Sequence, residues 1–184
     1  KTAILLLIEY IQKKAKGYFQ GERYYLAAYC DEISALLLEY SGDNNDAVRS
    51  YGFAGRNYYL ADEGLLSARC YEKGAGLMQK IASDASRLSA AAIFFSRAAQ
   101  SYCNISYFWE AGKCNEEAAN INEWSGNTEF AVRSWALAMI NYSRAGAEDE
   151  RFLCAKMLDT LRISVTPGAG ESSFCLGGSF NLLP

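Results

Sequence analysis

Two closely matching stretches of the chain, Ala47-Val-Arg-Ser-Tyr-Gly-Phe-Ala54 and Ala131-Val-Arg-Ser-Trp-Ala-Leu-Ala138, decide the fold. The first begins at residue 47 and the second at residue 131, an offset of 84, and the similarity continues through Asn57-Tyr58 and Asn141-Tyr142. Recurrence over such a distance is typical of repeat proteins, whose units bury their apolar faces only against neighbouring units.

A third copy is expected midway between these two, because an offset of 84 is twice 42. The shared pattern is an aromatic residue or Leu, followed by small, small, aromatic and small residues at positions 3, 4, 7 and 10 after it, and it begins at Tyr51, Leu88 and Trp135. Its spacing places these positions on one face of a helix. Small side chains on that face allow a partner helix to approach closely. We predict close helix contacts at Ala54, Ala91 and Ala138.

A second helix is predicted after each copy, with a stripe of small residues such as Ala111, Cys114 and Ala118. Both prolines, Pro167 and Pro184, lie near the C-terminus, so the first 166 residues lack this helix breaker. Breaks rich in Gly, Asn, Asp and Ser separate the apolar stripes. We predict one helical domain over residues 1–165, with about eight helices near 2–16, 18–41, 45–62, 64–82, 85–103, 106–124, 128–145 and 148–165.

The repeated pattern resembles the first helix of the tetratricopeptide repeat, which runs Trp-x-x-Leu-Gly-x-x-Tyr. The longer period and the phrase Ala111-Gly-Lys-Cys-Asn-Glu-Glu-Ala-Ala119 resemble the soluble NSF-attachment proteins, over roughly residues 45–165. This resemblance implies a right-handed α-solenoid of about four antiparallel helical hairpins that acts as a non-enzymatic protein-interaction scaffold. A HEAT-like repeat fits the period but explains the paired small residues less well.

Several kinds of chemistry are excluded or disfavoured by the composition. The chain has no histidine, which excludes Ser-His-Asp and Cys-His catalysis and histidine-containing metal sites. None of the six cysteines forms a C-x-x-C pair, and we interpret them as small core residues in a reducing, cytoplasmic compartment. We therefore predict no enzyme, with no catalytic residue, cofactor or metal ion.

Charge and hydropathy narrow the choice of partner. The net charge of −3 and the pI near 5.1 leave no overall basic footprint for nucleic acid. The apolar run Ala3–Ile8 is too short to span a membrane, and no later stretch approaches the roughly 18 uninterrupted apolar residues that a membrane-spanning helix needs. The predicted partner is a protein or a peptide.

If the tetratricopeptide register holds, the first helix of each hairpin lines the concave face of the solenoid. Guanidinium groups on this face would hold an acidic segment, because they bind carboxylates bidentately. Pairing of the arginines with carboxylates of neighbouring helices is the alternative interpretation. The candidate partner-binding residues are Arg49, Arg56, Tyr59, Arg97, Arg133 and Arg144.

Two other functions remain open at this point. The apolar opening Ala3–Ile8 and the apolar tail would suit a structural protomer that forms homo-oligomers through its ends. A cavity between helices would suit a carrier of a small molecule or lipid. The tail at 166–184 is predicted to be non-helical, because Pro167 and several glycines interrupt it, and to dock on the helices through residues such as Phe174 and Phe180.

Overall fold

The structure, a computed structural model, describes residues 2–165. This part of the chain is all helical and contains no strand, which confirms the predicted all-α fold. Each helix packs against the helix before it and the helix after it, so the chain forms a solenoid of four successive hairpins. The helices are α1 (Thr2–Gln20), α2 (Tyr24–Ser41), α3 (Asn44–Leu60), α4 (Gly64–Ile81), α5 (Ala85–Asn104), α6 (Phe108–Trp124), α7 (Thr128–Ala145) and α8 (Glu148–Val165). The predicted tail and its docking lie outside the described residues.

Six of the seven connections between helices share one geometry. Each contains a residue with φ between 56° and 87°, in the left-handed region. The N–H of that residue donates to the carbonyl three residues earlier, and the next N–H donates to the carbonyl five residues before it. This is the Schellman arrangement, which satisfies the last carbonyls of a helix. The left-handed residues are Glu22, Gly42, Asp62, Ser106, Gly126 and Gly146.

The spacing of these residues defines the repeat. They recur every 20 residues from Glu22 to Asp62 and again from Ser106 to Gly146, so one hairpin spans 40 residues. Between Asp62 and Ser106 the distance is 44 residues, which is two steps of 20 plus four extra residues. The offset of 84 is therefore a step of 40 and a step of 44, and the predicted uniform period of 42 is wrong.

The connection between α4 and α5 accounts for the four extra residues. Here Ala82 is extended, and Asp84 caps α5 by accepting a hydrogen bond of 2.9 Å from the backbone N–H of Arg87. Helix α5 begins about one turn earlier than the repeat requires. This connection contains no left-handed residue.

Hydrogen bonds between successive hairpins show the true register. The hydroxyl groups of three tyrosines donate to glutamates of the preceding helix at 2.6 to 3.0 Å, and the pairs are Tyr58–Glu32, Tyr102–Glu72 and Tyr142–Glu116. Tyr102 is thus equivalent to Tyr58. It follows that Phe95 is equivalent to Tyr51, and Ala98 to Ala54.

The sequence alignment of α5, which started at Leu88, was therefore two helical turns out of register. The error has a physical cause: α5 carries the same order of large and small residues twice, seven residues apart, so both registers fit one helical face. Ala54, Ala91 and Ala138, the sites of the predicted close helix contacts, are all fully buried, and so is Ala98.

The first turn also differs from its prediction. Gly17 was expected to separate the first two helices, but it lies inside α1. A Cβ atom there would meet nothing within 4 Å, so the glycine has no steric role. The chain reverses at Glu22, which adopts φ 56° although it is not glycine.

The interior is built from small residues facing aromatic rings. A Cβ atom on Gly112 would lie 2.7 Å from the ring of Tyr142, and one on Gly55 would lie 3.0 Å from the ring of Tyr71. The five cysteines within residues 2–165 are free, and three of them, Cys70, Cys114 and Cys154, are buried. These three have the core role predicted for the cysteines, whereas Cys30 and Cys103 are only half-buried.

Candidate functional site

A cleft of about 450 Å³ opens between α1 and α3. These are the first helices of two successive hairpins, and Asp31 of the intervening α2 forms the floor between them. Cationic, acidic and aromatic side chains all contribute to the lining. The lining residues are Gln12, Ala15, Lys16 and Phe19 of α1, Asp31 of α2, and Asp46, Arg49, Ser50, Phe53, Arg56 and Asn57 of α3.

Three cations line the cleft. The Nη1 atom of Arg49 lies 3.2 Å from Oδ1 of Asp46, but both side chains are exposed, so this pair adds little stability and can open to a ligand. The guanidinium of Arg56 lies 5.8 Å from the ring centroid of Phe19. Lys16 is exposed and forms no ion pair within residues 2–165.

One carboxylate, that of Asp31, lies on the floor. The residue is only 9% exposed, and its Oδ2 atom accepts a hydrogen bond of 2.8 Å from Nδ2 of Asn57. Burial raises the pKa of Asp31 to about 6, and the hydrogen bond from Asn57 opposes this shift. At neutral pH the cleft floor therefore carries a negative charge.

The repeat shows how unusual this floor is. The steps of 40 and 44 residues make Tyr71 of α4 and Asn115 of α6 the equivalents of Asp31, and both are buried and neutral at pH 7. The ring of Tyr71 packs edge-on against Phe94 at 5.8 Å and lies beneath the guanidinium of Arg97. A bulky side chain thus occupies this repeat position in α4, whereas the shorter Asp31 borders an open cleft.

The six predicted partner-binding residues do not form one site in the structure. Arg49 and Arg56 line the cleft, whereas the others do not. Arg97 packs on Tyr71 at a position equivalent to Phe53, because of the register shift in α5. The hydroxyl of Tyr59 accepts a hydrogen bond from Asn104 on the adjacent α5.

The two remaining arginines lie on α7. Arg133 pairs at 3.7 Å with Glu129, which lies one turn earlier on α7 itself, so this pair is not the predicted pairing between neighbouring helices. Arg144 lies over the ring of Phe108 and lines a smaller cleft of about 370 Å³ near the start of α6.

Sequence reasoning missed Lys16, Phe19 and Asp31. One signal was present for Asp31. It lies on the apolar stripe that joins Ala28 to Ala35 and Leu38, and a charged residue on such a stripe is unusual. No signal was present for the other two, because α1 does not carry the repeated pattern.

The thiols in the described residues are poor nucleophiles. Burial raises the pKa of Cys70 to about 12 and that of Cys154 to about 11, so both remain protonated at neutral pH. Residues 2–165 contain no group of three or more side chains suited to a metal ion. None of the helices among these residues has the length and apolar character needed to cross a membrane.

Comparison with known proteins supports the architecture. No protein-family model matches the chain, and no curated protein matches it. Among solved structures, the chain is similar to the crystal structure of BtubC (BKLC) from P. vanneervenii, with a TM-score of 0.55 and 14% sequence identity. The alignment covers 96% of this chain and 72% of that chain. At this identity the likeness concerns the fold alone.

Proposed function

We propose that this protein is a non-enzymatic interaction scaffold that binds an acidic peptide segment of a partner protein in the cleft between α1 and α3. The observation that carries the proposal is the cleft itself, which combines three cations with open aromatic surface at Phe19 and Phe53. Guanidinium and ammonium groups bind carboxylates, and exposed rings bury the apolar stems of a ligand. The five charged side chains of the lining suit a peptide better than a lipid chain.

The fold supports this proposal in a further way. Tetratricopeptide-like solenoids, including the soluble NSF-attachment type that the sequence resembles, present stacked helices as an extended binding surface. The proposal adopts that arrangement for this chain. It also places the protein in the cytoplasm, where the five free thiols of residues 2–165 would remain reduced.

Charge reversal tests the proposal. A variant with Lys16→Glu, Arg49→Glu and Arg56→Glu should lose its partners in a pull-down followed by mass spectrometry, because the cleft would then repel carboxylates. The matched control reverses three exposed cations of the second helices, Arg69, Lys113 and Lys156, and so changes the net charge equally. Both variants should melt near the wild-type temperature. Identical partner profiles for wild type and cleft variant would disprove the proposal.

Self-assembly is a second candidate, and a specific observation favours it. Helix α1 exposes consecutive leucines, of which Leu6 is 61% exposed, together with Tyr10. Clusters of exposed apolar side chains often mark contact surfaces between proteins. Under this candidate the protein would be a structural protomer that associates through α1.

A further inference from the structure

The carboxylate of Asp31 has no ion-pair partner among the described side chains of residues 3–161. Its hydrogen-bond donor is the neutral amide of Asn57, and none of the ion pairs of these residues includes Asp31. A buried charge without an opposite charge is unfavourable. The chain uses neutral side chains, Tyr71 and Asn115, at the equivalent positions, so the fold itself does not require a carboxylate there.

The surroundings of Asp31 specify what could compensate its charge. The carboxylate borders an open cleft, and Ala15 and Phe53 supply apolar surface in the same lining. A lysine side chain has an aliphatic stem that suits such surface and an ammonium group that suits a carboxylate. Oδ2 already accepts from Asn57, so a guanidinium fork would compete for that oxygen, whereas an ammonium can bind the other oxygen alone.

The rim of the cleft restricts the ligand further. Lys16, Arg49 and Arg56 would repel a ligand that carried only positive charge. They would attract carboxylates that lie on either side of the lysine. The complementary ligand therefore has a central ammonium and flanking acids.

We propose that the cleft between α1 and α3 recognises a lysine flanked by acidic residues, with the lysine ammonium bound by Asp31 and the flanking carboxylates bound by Lys16 and Arg56. This inference rests on the proposed function and names the ligand class of the same site. Asp31 then sets specificity, and the rim cations supply attraction to any acidic segment.

Fluorescence anisotropy with three labelled peptides tests this inference. The first probe is acetyl-Glu-Glu-Lys-Glu-Glu-amide, and the other two carry norleucine or arginine in place of lysine. Norleucine keeps the aliphatic stem and lacks the ammonium. The norleucine peptide should bind wild type roughly ten- to a hundredfold more weakly than the lysine peptide, because it leaves the carboxylate of Asp31 unpaired. The arginine peptide should bind with intermediate affinity.

The variant Asp31→Asn is the matched protein control, because asparagine occupies the equivalent position in α6. Here the lysine and norleucine peptides should bind within about twofold of each other. Equal binding of these two peptides to wild type would overturn the lysine site and leave the acidic-peptide scaffold standing. Absence of binding by all three peptides would overturn both. A discrimination that persists in Asp31→Asn would also overturn the assignment of Asp31.

Discussion

At the residue scale, the ionisation of Asp31 on the cleft floor affects the stability of the folded protein. Its pKa is about 6 in the folded protein, against 3.8 for an ordinary aspartate. The folded state therefore binds the proton more tightly than the unfolded state does. The contribution of Asp31 to stability is greatest when both states are protonated, falls as the pH rises from about 4 to about 6, and stays lower above that range.

The substitution Asp31→Asn should remove this dependence. At pH 7 we expect the free energy of unfolding to rise by roughly 1–2 kcal/mol, because the variant no longer buries a charge while asparagine still accepts the bond from Asn57. Near pH 4 the two proteins should differ little. Urea unfolding of both proteins at pH 4, 5, 6 and 7 measures the difference, and a gap that does not change with pH would contradict the interpretation.

At the element scale, substitutions of helical glycines can distinguish the effect of side-chain packing from the effect of helix propensity on stability. Gly76 in α4 and Gly112 in α6 are both helical, but a Cβ atom at Gly76 would meet nothing within 4 Å. We expect Gly76→Ala to stabilise the protein by about 0.5–1 kcal/mol, since alanine is the better helix former. Gly112→Ala should destabilise it by roughly 1–3 kcal/mol, because the new methyl group would overlap the ring of Tyr142. Thermal unfolding monitored by circular dichroism compares the two, and equal shifts would contradict the packing between α6 and α7.

In the turns, the backbone conformation of a glycine matters more than the space around it. Gly126 has as much room for a Cβ atom as Gly76, but its φ is 74°. Gly126→Ala should therefore lower the free energy of unfolding by about 1 kcal/mol, because an L-residue is strained in the left-handed region. Gly76→Ala serves as the control with open space and ordinary helical backbone. A stabilising effect at Gly126 would show that the turn is not held in the left-handed form.

At the scale of the whole molecule, the exposed leucines of α1 provide a test of the self-assembly candidate. If they form a contact between copies, Leu6→Glu should convert the assembly to monomer, because burial of the new carboxylate is unfavourable. Leu153→Glu on α8, which also replaces an exposed leucine, is the matched control. Light scattering at several protein concentrations measures the mass. A monomeric wild type would exclude self-assembly through this surface.

The sequence was sufficient to predict the helices but not the cleft. Large and small residues at helical spacing indicated the hairpins, because this pattern reflects close contacts between helices. The register of α5 was not predictable, because the same pattern occurs twice in that helix. The first turn was not predictable either, because the residue with left-handed backbone there is Glu22 and not a glycine. Arg49 and Arg56 were identifiable from the face they share, whereas their meeting with Lys16 and Asp31 depends on the packing of α1 and α2 beside α3.

The irregular connection between α4 and α5 is the site where we expect a protease to cleave the chain first. Ser83 and Asp84 are exposed there, and the extended backbone at Ala82 suits the active site of a protease better than the hydrogen-bonded turns elsewhere. A brief digestion should cut here first and produce two fragments of four helices each. The core shared by α4, α5 and α6, which includes Tyr71 and Phe95, should keep the fragments together after cleavage. Separately expressed halves should then recombine on mixing, so the protein could serve as a two-part reporter in which reassociation restores one continuous helical array.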